Sequence, residues 1–237
     1  MDIYTSFAII TLAALVHASF QLSVSVLTLL RSHAIGSKKS HTRTLRLTFG
    51  YVTGVGVMTL LILTFAATVL QRFFATDVPA LIWAITCGLL VGVGFAVWIF
   101  YYRGEKGTSI WLPRSFARHL SDRSKATKDS AEAFSLGLTS VIAELVFTAA
   151  PVLVSALVII QMPAEWQPLG VAVYAAISLI TLFSIWVAVS AGHRMSEIQK
   201  WRENNKRFLQ FASGSALAIL GVFVYVCTLM SEMAGIA

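Results

Sequence analysis

Charge is scarce in this sequence. Of its 237 residues only 12% are Asp, Glu, Lys or Arg, whereas 57% are hydrophobic and the mean hydropathy is +0.77. Acidic residues are rarer than basic ones: the chain has 11 Asp and Glu and 18 Lys and Arg, which gives a formal net charge of +7. A water-soluble domain does not need so much apolar surface, so we expect the lipid bilayer to be the solvent of this chain.

Cysteine is also rare, and the motifs of soluble enzymes are missing. Cys87 and Cys227 form no CxxC motif, and we interpret each as a small apolar residue of a helix. The sequence holds no Walker loop, no nucleophile elbow and no HExxH motif, so we expect no enzymatic activity and no cofactor. The basic residues are dispersed without a recognisable motif, so we also expect no nucleic-acid partner.

Long apolar runs recur six times along the chain. Each holds about 20 residues or more, enough to cross a hydrocarbon core of about 30 Å as a helix. We therefore predict an all-α integral membrane protein with one transmembrane domain over residues 1–237. The predicted segments are 5–30, 47–70, 79–102, 134–160, 169–191 and 208–230.

The basic residues predict the orientation of these segments. The loops 31–46, 103–133 and 192–207 hold 5, 7 and 5 of the 18 Lys and Arg residues. In a six-helix topology these three loops fall on one side of the membrane. By the positive-inside rule that side is the cytoplasm, so we expect both termini to lie outside the cell membrane. The positive net charge also favours attraction of these loops to anionic lipid headgroups.

Two segments carry an ionisable residue near their middle, His17 in the first and Glu144 in the fourth. An offset of 127 residues aligns this pair, and it also aligns Phe20 with Phe147. The third and sixth segments share the offset, while the second and fifth need a further shift of about five residues. Because an odd number of crossings precedes the fourth segment, two such halves are related by an inverted repeat. The predicted halves are 1–102 and 134–230, joined by the cytoplasmic loop 103–133.

Polar residues follow one face of the first and fourth segments. Since lipid offers no hydrogen-bond partners, we expect both stripes to turn inward and line a substrate or proton pathway. The stripe of the fourth segment consists of Gly137, Ser140, Glu144, Thr148, Pro151 and Ser155, and that of the first consists of His17, Gln21 and Thr28 with Ser25 beside them.

Pro151 and the His17–Glu144 pair each have two interpretations. Pro151 removes one backbone hydrogen bond and frees the carbonyl of Phe147, which makes either a cation ligand with a hinge or a plain kink. His17 and Glu144 either share a proton with a substrate or form a buried hydrogen bond between helices. Imidazole and carboxylate also suit Mn²⁺ or Zn²⁺, although one His and one Glu are a small ligand set.

Glycines recur at four-residue spacing in two segments. Small residues at this spacing let membrane helices approach closely, so we predict packing within the chain, with a dimer face or a hinge as the alternative. These glycines are Gly50, Gly54 and Gly56 in the second segment and Gly88, Gly92 and Gly94 in the third.

Six helices, basic cytoplasmic loops and polar midpoints at His17 and Glu144 make this chain resemble the lysine exporter (LysE) superfamily, which includes TerC-like and cadmium-resistance transporters. Its architecture is also similar to that of the thiol–disulfide carriers of cytochrome c biogenesis. The resemblance covers the whole chain at the level of topology and implies a transporter built as an inverted repeat. The acidic signatures of the TerC-like members are missing here. His17 and Glu144 also stand where the thiol carriers keep cysteines.

We interpret the chain as a small secondary transporter that exports a cation or a small cationic or zwitterionic solute in exchange for protons. Glu144 would bind the positive charge, His17 would relay the proton, and Gln21, Ser140 and Thr148 would orient the substrate. The first alternative is a non-transporting membrane subunit that docks a membrane partner or a second copy of itself. A thiol-redox carrier is the third.

Overall fold

The computed structural model describes residues 1–20, 38–75, 77–100, 120, 122–124, 126–191 and 195–230. In these ranges the chain is helical and has no strand, as predicted. The helices are α1 Ile3–Ser19, α2 Lys38–Phe74, α3 Ala80–Phe100, α4 Ser130–Gln161, α5 Gln167–Ser178, α6 Ile180–Ser190, α7 Met195–Asn204 and α8 Lys206–Tyr225, which continues as a π-helical turn, Val226–Met230.

Several of these helices are long and apolar enough to cross a membrane. In the described ranges four pass this test singly: α2, α3, α4 and α8. Helices α5 and α6 pass it together as a fifth, broken span with a bend of 49°. The hydroxyl of Ser178 donates to the carbonyl of Ala175 just before the break, and such bonds bend helices. The all-helical class is therefore confirmed, and four to five spans in the described ranges are long and apolar enough to cross a membrane.

The prediction that residues 5–30 form one continuous helix is wrong at its C-terminal end. Helix α1 is apolar but ends at Ser19, because Phe20 adopts an extended conformation (φ −76°, ψ 139°). Residues 21–37 lie outside the described ranges. Helix α2 already begins at Lys38, inside the predicted loop 31–46, since Lys and Arg are good helix formers and extend the apolar run.

The other two basic loops also contain helix. Helix α4 begins at Ser130 because the Asp129 side chain accepts a hydrogen bond from the N–H of Glu132, while the Glu132 side chain accepts one from the N–H of Lys128. The Asp129 bond caps the helix, and the Glu132 bond ties the residue before the cap to the first turn, so together they fix the start of the helix. Helix α7 lies within the predicted loop 192–207.

Helices α2 and α4 run parallel and in close contact. A Cβ atom at Gly50 would lie 2.7 Å from the carbonyl oxygen of Ser130, and one at Gly54 would overlap the carbonyl oxygen of Phe134. Gly137 on α4 faces the carbonyl of Tyr51 in the same way. Only glycine allows two backbones to approach this closely.

Helices α3 and α8 form an antiparallel pair with a similar contact. A Cβ at Gly94 would lie 2.8 Å from the carbonyl oxygen of Gly214, and a Cβ at Gly221 would lie 3.2 Å from that of Cys87. At one end of the pair, Gln210 Nε2 donates to the carbonyls of Val97 and Trp98 at 2.8 and 2.7 Å.

Helix α1 packs against α4 and runs parallel to α5. Phe7 contacts Trp166 near the start of both helices, and His17 contacts Tyr174 further along. Helix α4 is the most enclosed span: 72% of its most apolar stretch is buried, against 33–39% in the other three single spans. The polar residues of α1 and α4 therefore lie at the centre of the helix group.

Candidate functional site

His17 is held by a residue that the sequence interpretation did not include. Its Nδ1 lies 2.8 Å from the hydroxyl oxygen of Tyr174, and both side chains are buried, with 6% and 0% of their surface exposed. Tyr174 comes from α5, so the hydrogen bond joins two parallel helices. A hydrogen bond at one ring nitrogen of a histidine fixes the role of the other nitrogen.

His17 and Glu144 line the same small cavity. Glu144 is 3% exposed, and the space they share has a volume of about 10 Å³, about that of one water molecule. Four stretches of helix meet there, from α1, α2, α4 and the α5–α6 bend. The lining residues are His17, Ala18, Phe20, Val55, Thr59, Glu144, Ser178, Leu179, Thr181 and Leu182.

Most of the polar stripe on α4 is buried, but its hydroxyl groups bond within the helix. Ser140 donates to the carbonyl of Gly137, Thr148 to that of Glu144, and Ser155 to that of Pro151. Ser140 also accepts a hydrogen bond of 2.9 Å from the hydroxyl of Tyr51. A hydroxyl that donates to a carbonyl of its own helix has a hydrogen-bond partner in an apolar environment without a group from another helix. Glu144 is the stripe residue that faces the cavity with His17.

The remaining pathway residues divide between the buried core and undescribed parts of the chain. Helix α4 continues through Pro151, which is buried. Beside the cavity, the rings of Phe20 and Phe147 stack with their centroids 5.8 Å apart. Gln21, Ser25 and Thr28 lie outside the described residues.

The glycines of the second and third segments have different surroundings. Gly50, Gly54 and Gly94 contact neighbouring backbone, and a Cβ at Gly56 would lie 2.9 Å from the side chain of Leu179. Gly88 and Gly92 are on an exposed face of α3, and within the described part of the chain nothing would lie within 4 Å of a Cβ there. The predicted packing partner of these two glycines is therefore not among the described residues.

The described residues offer few side chains for metal binding or thiol chemistry. Among those residues no group of three or more His, Cys, Asp or Glu side chains is arranged to hold a metal ion. Cys87 and Cys227 are not joined in a disulfide, and the first is buried and the second half-buried. Neither is among the residues that line the cavity.

Sequence interpretation missed Tyr174 and Thr59, which are both polar groups inside apolar segments. Tyr174 had a usable signal, because it corresponds to Tyr51 when the second and fifth segments are aligned at an offset of 123 residues. Thr59 had none, since threonine is common in membrane helices, where its hydroxyl usually bonds to the preceding turn.

A buried imidazole and a buried carboxyl around a cavity of this size can hold and exchange a proton or bind a small cation. Comparisons with models of protein families, with curated proteins and with solved structures found no match. Function therefore has to be argued from the residues of the site.

Proposed function

We propose that this chain is a small secondary transporter that exports a cation or a small cationic or zwitterionic solute in exchange for protons. Glu144 binds the positive charge, and His17, oriented by Tyr174, relays the proton. The observation that carries the proposal is that His17 and Glu144 line one buried cavity, although 127 positions separate them in the sequence. Ionisable groups inside a membrane are costly and serve mainly in transport or proton relays.

Contacts at the site support a transporter built from two related halves. Phe20 corresponds to Phe147 at the offset of 127, and these two rings stack on each other. His17 corresponds to Glu144, and both line the cavity. In a pair of halves related by a two-fold axis, residues beside the axis contact their own counterparts.

The α3–α8 pair shows the same relation. Gly94 corresponds to Gly221 at the offset of 127, and the atoms around one glycine correspond to those around the other. The neighbours of Gly94 are Gly214, Leu217 and Ala218, and those of Gly221 are Cys87, Leu90 and Val91. All three pairs keep the same offset.

Helices α2 and α5–α6 correspond at an offset of 123 residues, within the shift that the sequence required. Tyr51 then matches Tyr174, and each donates or accepts a hydrogen bond with the first helix of the other half. Gly56 matches Leu179, and these two residues contact each other.

Helix directions support six alternating crossings. Parallel contact of α1 with α5 and of α2 with α4, and antiparallel contact of α3 with α8, are what that topology requires. We therefore propose that α1 belongs to the first crossing and that α5–α6 form the fifth. The loops 31–46, 103–133 and 192–207 then lie in the cytoplasm, and both termini lie outside.

Proton flux in proteoliposomes tests this function. Purified protein is reconstituted with a pH-sensitive dye inside, and cations, basic amino acids and zwitterionic amino acids are added in turn. We expect Glu144→Gln to reduce substrate-driven proton flux to the level of empty liposomes, because the buried charge is removed. The control is Glu132→Gln, the same substitution on the exposed start of α4, which should keep wild-type flux. A folded Glu144→Gln protein with wild-type flux would refute the mechanism.

The second candidate function is a membrane subunit that docks a partner, and the exposed glycines of α3 favour it. Gly88 and Gly92 leave open space on the surface of a spanning helix, as small residues do at helix–helix contacts. Replacing both by leucine would then release a co-purifying partner while Glu144→Gln would retain it. A thiol-redox carrier is the third candidate, and a variant without Cys87 and Cys227 that keeps full function excludes it.

A further inference from the structure

Thr59 is an unusual threonine within α2. Thr48, Thr53 and Thr68 in the same helix each donate their hydroxyl hydrogen to the carbonyl four residues earlier, at 2.8–3.0 Å. The hydroxyl of Thr59 has no hydrogen-bond partner within the described part of the chain, and the residue is 2% exposed. A buried hydroxyl without a partner is costly, so a group that satisfies it is expected nearby.

The cavity beside Thr59 has the size and the polar lining that one water molecule needs. Its volume is about 10 Å³, and a water site requires about this space and two to four polar partners. Five of its ten lining residues carry polar side chains: His17, Thr59, Glu144, Ser178 and Thr181. Ser178 and Thr181 already donate to the carbonyls of Ala175 and Ala18.

The contact with Tyr174 favours one tautomer of His17. A phenol has one hydrogen to donate, and in the described ranges the acceptor that the structure gives it is Nδ1 of His17. Nδ1 is then unprotonated in the neutral ring, so Nε2 carries the hydrogen. Among the described residues that line the cavity, two can therefore donate to a ligand there: Thr59 through its hydroxyl and His17 through Nε2–H. The strongest acceptor of the cavity is Glu144, whose carboxylate offers about four acceptor positions.

We propose that one water molecule occupies this cavity, accepts hydrogen bonds from Thr59 and from Nε2–H of His17, and donates to the carboxylate of Glu144. The site thus selects a single water rather than an organic solute in this conformation, and it joins the two ionisable residues. The bound water does not depend on transport. Only its part in proton movement rests on the proposed function.

Hydration-selective NMR on the full chain in lipid nanodiscs tests the proposal directly. With ¹⁵N-labelled histidine and His17→Gln for assignment, we expect the Nε2–H tautomer of His17 and a cross-peak from that hydrogen to water. Thr59→Ser keeps the hydroxyl and should keep the cross-peak. Thr59→Val has the same shape and should lose about tenfold in water occupancy, the effect of roughly one hydrogen bond. The control is Thr48→Val, equally buried at 2% on the same helix, which should leave the cross-peak unchanged.

Each outcome decides the matter. A missing cross-peak in the wild type, or one that Thr59→Val leaves at full strength, would overturn the proposal. A structure of the protein with a metal cation at the position between Thr59 and Glu144 would also overturn it. Proton flux distinguishes this proposal from the proposed function. A cross-peak without proton flux would support the bound water and refute the transporter. Proton flux without the cross-peak would support the transporter and refute the bound water.

Discussion

The centre of the molecule, formed by α1, α2, α4 and α5–α6, and the α3–α8 pair both pack helices closely, but they bury different residues. Both bring helices together through glycines: Gly54 and Gly137 at the centre, Gly94 and Gly221 in the pair. The middle of the α3–α8 contact is apolar, and its hydrogen bonds across the helices, from Gln210 and Trp98, lie at one end. The centre, in contrast, buries an imidazole and a carboxyl that line a small cavity, and two phenols that hydrogen-bond to His17 and Ser140.

This difference indicates which polar groups are needed for folding. The α3–α8 pair shows that close backbone contact can join two helices without buried charge, as is common in membranes. Close helix association therefore does not by itself require buried ionisable groups. Since they are costly in lipid, function is the better explanation for His17 and Glu144. Substitutions in the pair should change stability alone, whereas substitutions of His17, Glu144 or the partner of His17 should also change activity.

The largest expected effect is on the pair. Gly94→Val places side-chain atoms against the backbone oxygen of Gly214, and overpacking of this kind should lower the free energy of unfolding by about 3 kcal/mol. Titration with SDS in mixed micelles, followed by tryptophan fluorescence, measures it. The matched control is Gly92→Val, two residues earlier, where a side chain meets open space. Equal losses in both variants would show that the close contact of α3 and α8 does not stabilise the fold.

The two buried tyrosines separate the site from its surroundings. Tyr174→Phe leaves Nδ1 of His17 without its hydrogen-bond partner, so the free energy of unfolding should fall by about 1–3 kcal/mol and the pH profile of proton flux should move. Tyr51→Phe removes a donor to Ser140, whose own hydroxyl still bonds to Gly137, so about 1 kcal/mol should be lost. The pH profile of Tyr51→Phe should match the wild type. A shared shift in both variants would contradict a special role for Tyr174.

The helical class, the presence of helices long and apolar enough to span a membrane, and most helix positions follow from the sequence because long apolar runs are strong signals. The offset that pairs His17 with Glu144 also identified two residues that line one cavity. Boundaries were less accurate. Asp129 and Glu132 start α4 through local hydrogen bonds, which hydropathy does not detect.

The partners of the site residues could not be derived in the same way. Tyr174 binds His17 across 157 positions of sequence, a distance that local patterns do not cover. Periodicity placed Ser140 and Thr148 on the correct face of α4, but it could not show that their hydroxyls bond to their own helix. Gly88 and Gly94 have the same residue type within one helix, and only their neighbours in space distinguish them.

A smaller effect is expected from Gln210. Its Nε2 bonds to the carbonyls of Val97 and Trp98, which lie in the last turn of α3 where no helical N–H follows. Gln210→Met keeps the size and removes both bonds, so the free energy of unfolding should fall by about 1 kcal/mol. Gln71→Met, at an exposed position of α2, is the control and should change nothing. Proton flux should stay normal in both variants. A loss of flux in Gln210→Met would show that the α3–α8 contact affects the site.

The smallest effect is expected at the start of α1, away from the buried centre. The Asp2 carboxylate accepts hydrogen bonds from the N–H and the hydroxyl of Thr5, both at 2.8 Å. The backbone bond first, and then the hydroxyl bond, hold the pKa of Asp2 below its usual value. Because the folded pKa is lowered, this stabilisation is present above the unfolded pKa of about 3.9 and is lost as the pH falls through the folded value. The protection of the Thr5 amide against hydrogen exchange, taken relative to the intrinsic rate at each pH, should therefore fall below about pH 4 in the wild type. Asp2→Asn should remove that dependence and leave the water cross-peak of His17 unchanged. If the cross-peak were lost as well, the two ends of α1 would be coupled, and the separation between the capped end and the buried site would fail.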